Sequence, residues 1–132
     1  MEGLKNIKVL LVDDDQGICT LIKTYLESRG MSVMATLSGI DALNIFQGNR
    51  NFDILITDIQ MNGMDGLELF QKIKQLDKNF PVMFISGCVD IESMFNALGM
   101  ETQEYLLKPF DTLEELLVPI DKCVKKHREL FN

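Results

Sequence analysis

The chain has 132 residues, of which 46% are hydrophobic and 25% are charged, a composition typical of one globular domain. Its formal net charge of −7 argues against direct nucleic-acid binding by this domain, because phosphate contacts need clustered Lys and Arg. No apolar run approaches the roughly 18 residues that span a bilayer, so we expect no membrane contact. The three cysteines are far apart and have no C-x-x-C spacing, so we expect no disulfides and a cytoplasmic location.

Five short segments of apolar and β-branched residues are predicted as strands. They are Val9–Val12, Ser32–Thr36, Ile54–Thr57, Val82–Ser86 and Tyr105–Leu107. The runs VLLV, ILI and VMFI are almost continuously apolar, which is typical of parallel strands covered on both faces.

Helical patterns follow each of these strands. They cover Ile18–Leu26, Ser38–Gln47, Leu67–Leu76, Ile91–Met100 and Leu113–Val124. Ser38 is the expected N-cap of the second helix, and Pro119 predicts a kink or a restart in the last one. Five strands alternating with five helices predict an α/β fold with a parallel sheet, in a single domain.

Polar side chains follow four of the predicted strands. In an open parallel sheet, ligands bind outside the carboxyl ends of the strands, so these residues decide the chemistry. They are Asp13, Asp14 and Asp15 after the first strand, Asp58 after the third, Ser86 at the end of the fourth and Lys108 after the fifth. We expect them to meet at one edge of the sheet.

The residue types at this edge suit phosphoryl transfer. Neighbouring carboxylates cost stability unless a cation joins them, and carboxylate-rich oxygen sites suit Mg²⁺. Lys108 supplies a point charge suited to phosphate, and the Ser86 hydroxyl can donate to a phosphoryl oxygen. Asp58 is then the candidate nucleophile, since a carboxylate can accept a phosphoryl group as an aspartyl phosphate. Asp15 has a plainer expected role, as the N-cap of the first helix.

Four segments, VLLVDDD, DILITDIQMNGMDG, PVMFIS and YLLKPFD, resemble the receiver domains of two-component response regulators. The resemblance runs from about residue 8 to about residue 126. It implies a flavodoxin-like (CheY-like), doubly wound five-stranded parallel sheet in the order 2-1-3-4-5 with five helices. It also implies that Asp58 receives a phosphoryl group from a sensor histidine kinase or a phosphotransfer protein. Such a domain assists its own phosphorylation and dephosphorylation but is not an enzyme with an external substrate.

The resemblance carries further roles to matching residues. Asp13 and Asp14 correspond to the acidic pair that binds Mg²⁺, with Asp58 and the backbone carbonyl of Gln60 as the remaining protein ligands. Ser86, Tyr105 and Lys108 correspond to the switch hydroxyl, the switch aromatic and the lysine of the site, and the Lys108–Pro109 bond is expected to be cis. Phosphorylation would reshape the face formed by helix 4, strand 5 and helix 5.

The sequence departs from the family pattern at three places. Asn62 stands where a proline is usual, so we expect a more mobile turn after Asp58. Gly87 replaces the usual alanine after Ser86, and a wider opening there would admit water and shorten the phosphoryl lifetime. The segment GMETQEY is longer than the usual link into the fifth strand, which affects the output face and not the acceptor.

The whole chain, 1–132, is expected to be one receiver domain with its core at about 8–126. Residues 127–132 would end the last helix and can lead to an output domain. The face of helix 4, strand 5 and helix 5 would contact that domain or a second copy of the chain.

Three other functions fit parts of the pattern. A Mg²⁺-dependent phosphohydrolase would have its nucleophile after the first strand and a second acid two residues later, and Asp13 and Asp15 have that spacing. This function would leave Asp58, Ser86 and Lys108 without a role. A flavin mononucleotide binder would need a phosphate-binding loop after the first strand. The chain has Asp13, Asp14 and Asp15 there, and their charges would repel the phosphate. A receiver that signals without phosphorylation would not need the complete site.

Overall fold

The computed structural model describes residues 2–131, so the predicted domain limits at Met1 and Asn132 lie outside the described part of the chain. The strands are β1 (Lys8–Val12), β2 (Ser32–Thr36), β3 (Ile54–Asp58), β4 (Val82–Ser86) and β5 (Glu104–Leu107). The helices are α1 (Gln16–Ser28), α2 (Gly39–Gly48), α3 (Gly66–Leu76), α4 (Ile91–Ala97) and α5 (Leu117–Phe131), with 3-10 turns at Glu2–Leu4 and Leu113–Leu116.

The five strands form one parallel sheet in the order β2-β1-β3-β4-β5, which confirms the predicted fold class and strand order. The register pairs Leu11 of β1 with Ala35 on one side and with Ile56 on the other. Because all strands run the same way, their carboxyl ends lie along one edge of the sheet.

Two hydrophobic cores lie on opposite faces of the sheet. Val9 and Leu11 of β1 pack into the core that α1 and α5 cover, whereas Leu10 and Val12 pack into the core under α2, α3 and α4. The alternation follows from the two-residue period of a strand. Both faces of β1 are therefore buried, as its continuous apolar run predicts.

The structure tests two predicted helix ends, the start of α2 and the end of α4. Ser38 is the N-cap of α2, and its side chain accepts a hydrogen bond from the Asp41 backbone N–H, as predicted. The fourth helix was predicted to reach Met100, which is wrong: α4 ends at Ala97, and Gly99 takes a left-handed φ of 69° that a helix cannot continue.

The last helical segment restarts close to Pro119, which is one of the two outcomes that the sequence predicts. A 3-10 turn covers Leu113–Leu116, and α5 starts afresh at Leu117. Pro119 thus lies in the first turn of α5, where its missing N–H would have had no partner within the helix.

No helix among the described residues is both long and apolar enough to cross a membrane.

Candidate functional site

The acidic and basic residues of the site come from three strands of the sheet. Asp13 and Asp14 follow β1, Asp58 is the last residue of β3, and Lys108 follows β5 directly. Lys108 is 50 positions from Asp58 and 95 from Asp13 in the chain, yet all three residues meet at one point, because parallel strands end at the same edge.

Lys108 links the two buried carboxylates of the site. Its Nζ lies 2.6 Å from Asp13 Oδ2 and 2.9 Å from Asp58 Oδ2. Asp13 is fully buried, and the Lys108 side chain is 21% exposed. The ammonium therefore compensates two like charges that would otherwise repel each other in a poorly hydrated place.

Burial and the Lys108 ammonium shift the pKa of the Asp58 carboxyl in opposite directions. Burial raises the pKa of its carboxyl above the ordinary value, and the hydrogen bond and charge of Lys108 only partly offset that rise. Burial also lowers the pKa of the Lys108 ammonium, but its hydrogen bonds to Asp13 and Asp58 outweigh this, so the pKa lies above the ordinary value.

Each of the three carboxylates also accepts one backbone N–H. Asp13 Oδ1 accepts from Asp15 N at 2.9 Å, and Asp58 Oδ1 accepts from Ile59 N at 2.7 Å. Asp14 Oδ2 accepts from Asn62 N at 3.1 Å. These bonds stabilise the ionised carboxylates and fix how they are turned.

The donor atoms at this place suit a hard divalent cation. One carboxylate oxygen from each of Asp13, Asp14 and Asp58 can be chosen so that all lie within 4.8 Å of one another. An all-oxygen, negatively charged set of this kind fits Mg²⁺ and does not fit metals that prefer sulfur or imidazole. Gln60, the fourth predicted ligand, lies in the exposed bend two residues after Asp58.

Ser86 and Tyr105 lie on the β4 and β5 side of the site. Ser86 is 1% exposed, and its Oγ accepts a hydrogen bond from Cys88 N at 3.0 Å. Tyr105 is half-buried on β5, and its ring lies edge-on to Phe95 of α4 with the centroids 6.4 Å apart. Tyr105 is thus part of the α4 and β5 surface and is not one of the residues that meet at the carboxylates.

Asp15 lies in the acidic run but has another task. It is the N-cap of α1, and its Oδ1 accepts from Ile18 N at 3.1 Å, as the sequence predicts. The Lys108–Pro109 bond is cis, also as predicted.

Two further residues that sequence reasoning did not single out shape the backbone of Asp58. A Cβ on Gly66 would lie only 2.0 Å from the Asp58 carbonyl oxygen, so only glycine allows this approach of α3 to β3. Thr57 Oγ1 donates to the same oxygen at 2.8 Å. The Asp65–Gly66 pair at the start of α3 was the available signal for the first of these.

Comparison with known proteins agrees with this arrangement. The sequence profile of the response regulator receiver domain matches residues 9–121. The uncharacterised transcriptional regulatory protein YbdJ of Bacillus subtilis is 34% identical over 128 residues, which are 97% of this chain and 55% of that protein. The transcriptional regulatory protein ZraR of Salmonella typhimurium is 34% identical over 125 residues, which are 93% of this chain and 27% of that protein.

Solved structures give the same result. A response regulator receiver domain protein from Clostridium thermocellum matches with a TM-score of 0.84 and 30% identity, over 95% of this chain and 99% of that one. The chain spans about half the length, or less, of the curated relatives named above.

Proposed function

The chain belongs to the response regulator receiver domains of two-component systems, and from that membership we propose that Asp58 is its phosphoacceptor. The donor is a sensor histidine kinase or a phosphotransfer protein. The observation that carries the assignment is the ion pair network in which Lys108 Nζ contacts both Asp58 and Asp13. Among the carboxylates of the cluster, Asp58 alone ends the central strand β3 beside that ammonium.

The transfer forms one bond and breaks one. A carboxylate oxygen of Asp58 bonds to phosphorus while the bond from phosphorus to the donor nitrogen breaks, and its electron pair leaves with the imidazole, which then takes up a proton. Asp58 Oδ1 already accepts from Ile59 N, and Oδ2 faces Lys108. The Lys108 ammonium offsets negative charge at that oxygen, and the Ser86 hydroxyl is a donor for a phosphoryl oxygen.

Mg²⁺ is the proposed cofactor, with Asp13, Asp14, Asp58 and the backbone carbonyl of Gln60 as its protein ligands. When bound, the ion would neutralise charge on the transferring phosphoryl group. Support comes from the close set of carboxylate oxygens.

The proposed consequence of phosphorylation is a population shift in the face of α4, β5 and α5. Ser86 would turn toward the phosphoryl group and Tyr105 inward, and the reshaped face would contact an output domain or a second copy of the chain. Tyr105 is half-buried beside Phe95, on the surface of α4 and β5 where this change would occur.

We further propose one domain with a core at about 8–126, and a cytoplasmic location, which the three free cysteines favour. The module acts on itself and turns over no external substrate beyond its donor. The greater length of the relatives supports an output domain after residues 127–132.

The phosphohydrolase alternative has less support than the receiver. It needs Asp15 as a free second acid, but Asp15 Oδ1 is engaged by Ile18 N as a helix cap. It also gives no role to the contact between Lys108 and Asp58.

Intact mass spectrometry after incubation with acetyl phosphate and MgCl₂ tests the proposal. We expect a gain of one phosphoryl group in the wild type, no gain in Asp58→Asn and no gain with EDTA. No gain in the wild type would indicate a receiver that works unphosphorylated, and a gain retained in Asp58→Asn would place the nucleophile elsewhere, with Asp13 as the first suspect.

A further inference from the structure

The three carboxylates of the site are not held equally. Asp13 and Asp58 each accept a backbone N–H on one oxygen and the Lys108 ammonium on the other. Asp14 is exposed, and within residues 2–131 its one hydrogen bond is the 3.1 Å contact from Asn62 N. The orientation of Asp14 therefore depends on a single donor.

That donor comes from a distant part of the chain. Asp13 and Asp58 take their backbone bonds from residues one or two positions away, whereas Asn62 is 48 positions from Asp14. The contact ties the loop after β1 to the loop after β3. It depends on the backbone N–H of residue 62, which any residue except proline provides.

We propose that the backbone N–H of Asn62 is a positioning group for Mg²⁺, which it serves by holding the Asp14 carboxylate in the cluster. The inference rests on the proposed Mg²⁺ site. A free exposed carboxylate samples many rotamers, and binding a metal then requires that freedom to be lost. A carboxylate already oriented by a hydrogen bond avoids much of this cost, as with the outer partners of metal ligands in general.

Loop stiffness is the competing explanation of any effect at position 62, and two substitutions separate it from the hydrogen bond. Asn62→Pro removes the donor and stiffens the loop, whereas Asn62→Gly keeps the donor and loosens the loop. Asn62→Ala keeps the donor and removes only the side chain. If the hydrogen bond positions Asp14, only the proline variant should bind Mg²⁺ more weakly. If loop stiffness decides the affinity, the proline variant should bind Mg²⁺ more tightly and the glycine variant more weakly.

The measurement is a MgCl₂ titration followed by two-dimensional ¹H–¹⁵N NMR spectra of the unphosphorylated protein, so that no catalytic activity enters the readout. For Asn62→Pro we expect a Mg²⁺ dissociation constant about tenfold larger than that of the wild type. This is the low end of the effect of mutating residues that hydrogen-bond to metal ligands. Asn62→Ala and Asn62→Gly should stay within about twofold of the wild type. In an Asp14→Ala background, Asn62→Pro should have no further effect, because its partner is gone.

A second readout does not require the proline variant to fold. The Asn62 amide of the wild type should exchange with solvent more slowly than its exposed neighbour Gly63, and Asp14→Ala should abolish that difference.

Distinct results would overturn the inference. Equal affinity of the wild type and Asn62→Pro, or an unprotected Asn62 amide, would overturn it and leave the Mg²⁺ site intact. No saturable Mg²⁺ binding by the wild type would overturn the metal site of the proposed function, and the inference with it.

Discussion

Asp58, the proposed phosphoacceptor, has a buried carboxylate whose charge works against the stability of the fold. It is 7% exposed, and burial raises its pKa above the ordinary value of 3.8 despite the charge of Lys108. A carboxyl whose pKa is higher in the folded chain binds its proton more tightly when folded. The free energy of unfolding therefore falls as the pH rises from 3.8 through the folded-state pKa.

We predict that Asp58→Asn stabilises the protein at neutral pH in EDTA. The neutral amide oxygen can still accept from Ile59 N, and the gain in unfolding free energy should be about 1 kcal/mol, the usual size of a single stabilising substitution. The gain should shrink as the pH falls from the folded-state pKa of Asp58 toward 3.8, because over that range the folded wild-type carboxyl is protonated and no longer costs stability. Urea unfolding at several pH values measures it, with the exposed Asp90→Asn as control, and a loss of stability at neutral pH would contradict the prediction.

Gly87 is the second residue with a separate prediction. A Cβ there would meet no heavy atom within 4 Å, so alanine fits without displacing anything. We predict that Gly87→Ala slows loss of the phosphoryl group several-fold, because the methyl group would occupy open space next to Ser86 and hinder the approach of water. Loss of the added mass over time gives the rate, and Gly48→Ala, which also has open space at its Cβ, is the control. Unchanged or faster dephosphorylation would show that water entering beside residue 87 does not set the lifetime of the phosphoryl group.

At the scale of elements, the start of α1 separates two roles within one acidic run. Asp13 and Asp14 belong to the carboxylate cluster, whereas Asp15 is the N-cap of the helix. An N-cap satisfies a backbone N–H that the helix leaves without a partner, and such a role needs an oxygen and not a charge.

Asp15→Ala should therefore lower the free energy of unfolding by about 1 kcal/mol. Asp15→Ser should restore most of this loss, because serine is an equally good cap. Neither change should alter Mg²⁺ affinity or phosphorylation by more than about twofold. Loss of Mg²⁺ binding in both variants with unchanged stability would instead make Asp15 a metal ligand and support the phosphohydrolase alternative.

Element types were easier to predict than element ends. The strands and helices followed from apolar runs and helical periodicity, and Pro119 correctly marked where α5 restarts. The end of α4 was missed by three residues, because Met100 is apolar and packs on the core after the chain has already turned at Gly99. Periodicity detects burial and does not detect the backbone angle that ends a helix.

At the scale of the molecule, the element order predicted which side chains would meet. Once β1, β3 and β5 were assigned to one parallel sheet, Asp13, Asp58 and Lys108 had to lie along one edge. The sequence could not predict that one ammonium contacts both carboxylates, or that Asn62 N reaches Asp14. Those contacts depend on rotamers and on loop geometry, which no periodic pattern encodes.

Mg²⁺ should stabilise the whole domain, because it would bind the folded cluster and not the unfolded chain. At a concentration tenfold above the dissociation constant, the gain is about 1.4 kcal/mol, or a rise in Tm of about 3–5 °C. Thermal unfolding in MgCl₂ and in EDTA, at matched ionic strength, measures it. Asp14→Asn should show a smaller rise, and an equal rise in both proteins would place the ion elsewhere.

Locating the phosphoryl group on the chain tests most directly whether Asp58 is the phosphoacceptor. An aspartyl phosphate formed with acetyl phosphate can be reduced with borohydride, which converts the modified aspartate to homoserine, and tandem mass spectrometry then identifies the position. We predict homoserine at Asp58 alone, in the presence of Mg²⁺ and not in EDTA. Homoserine at Asp13, or at no position in a protein that has gained the mass of a phosphoryl group, would contradict it.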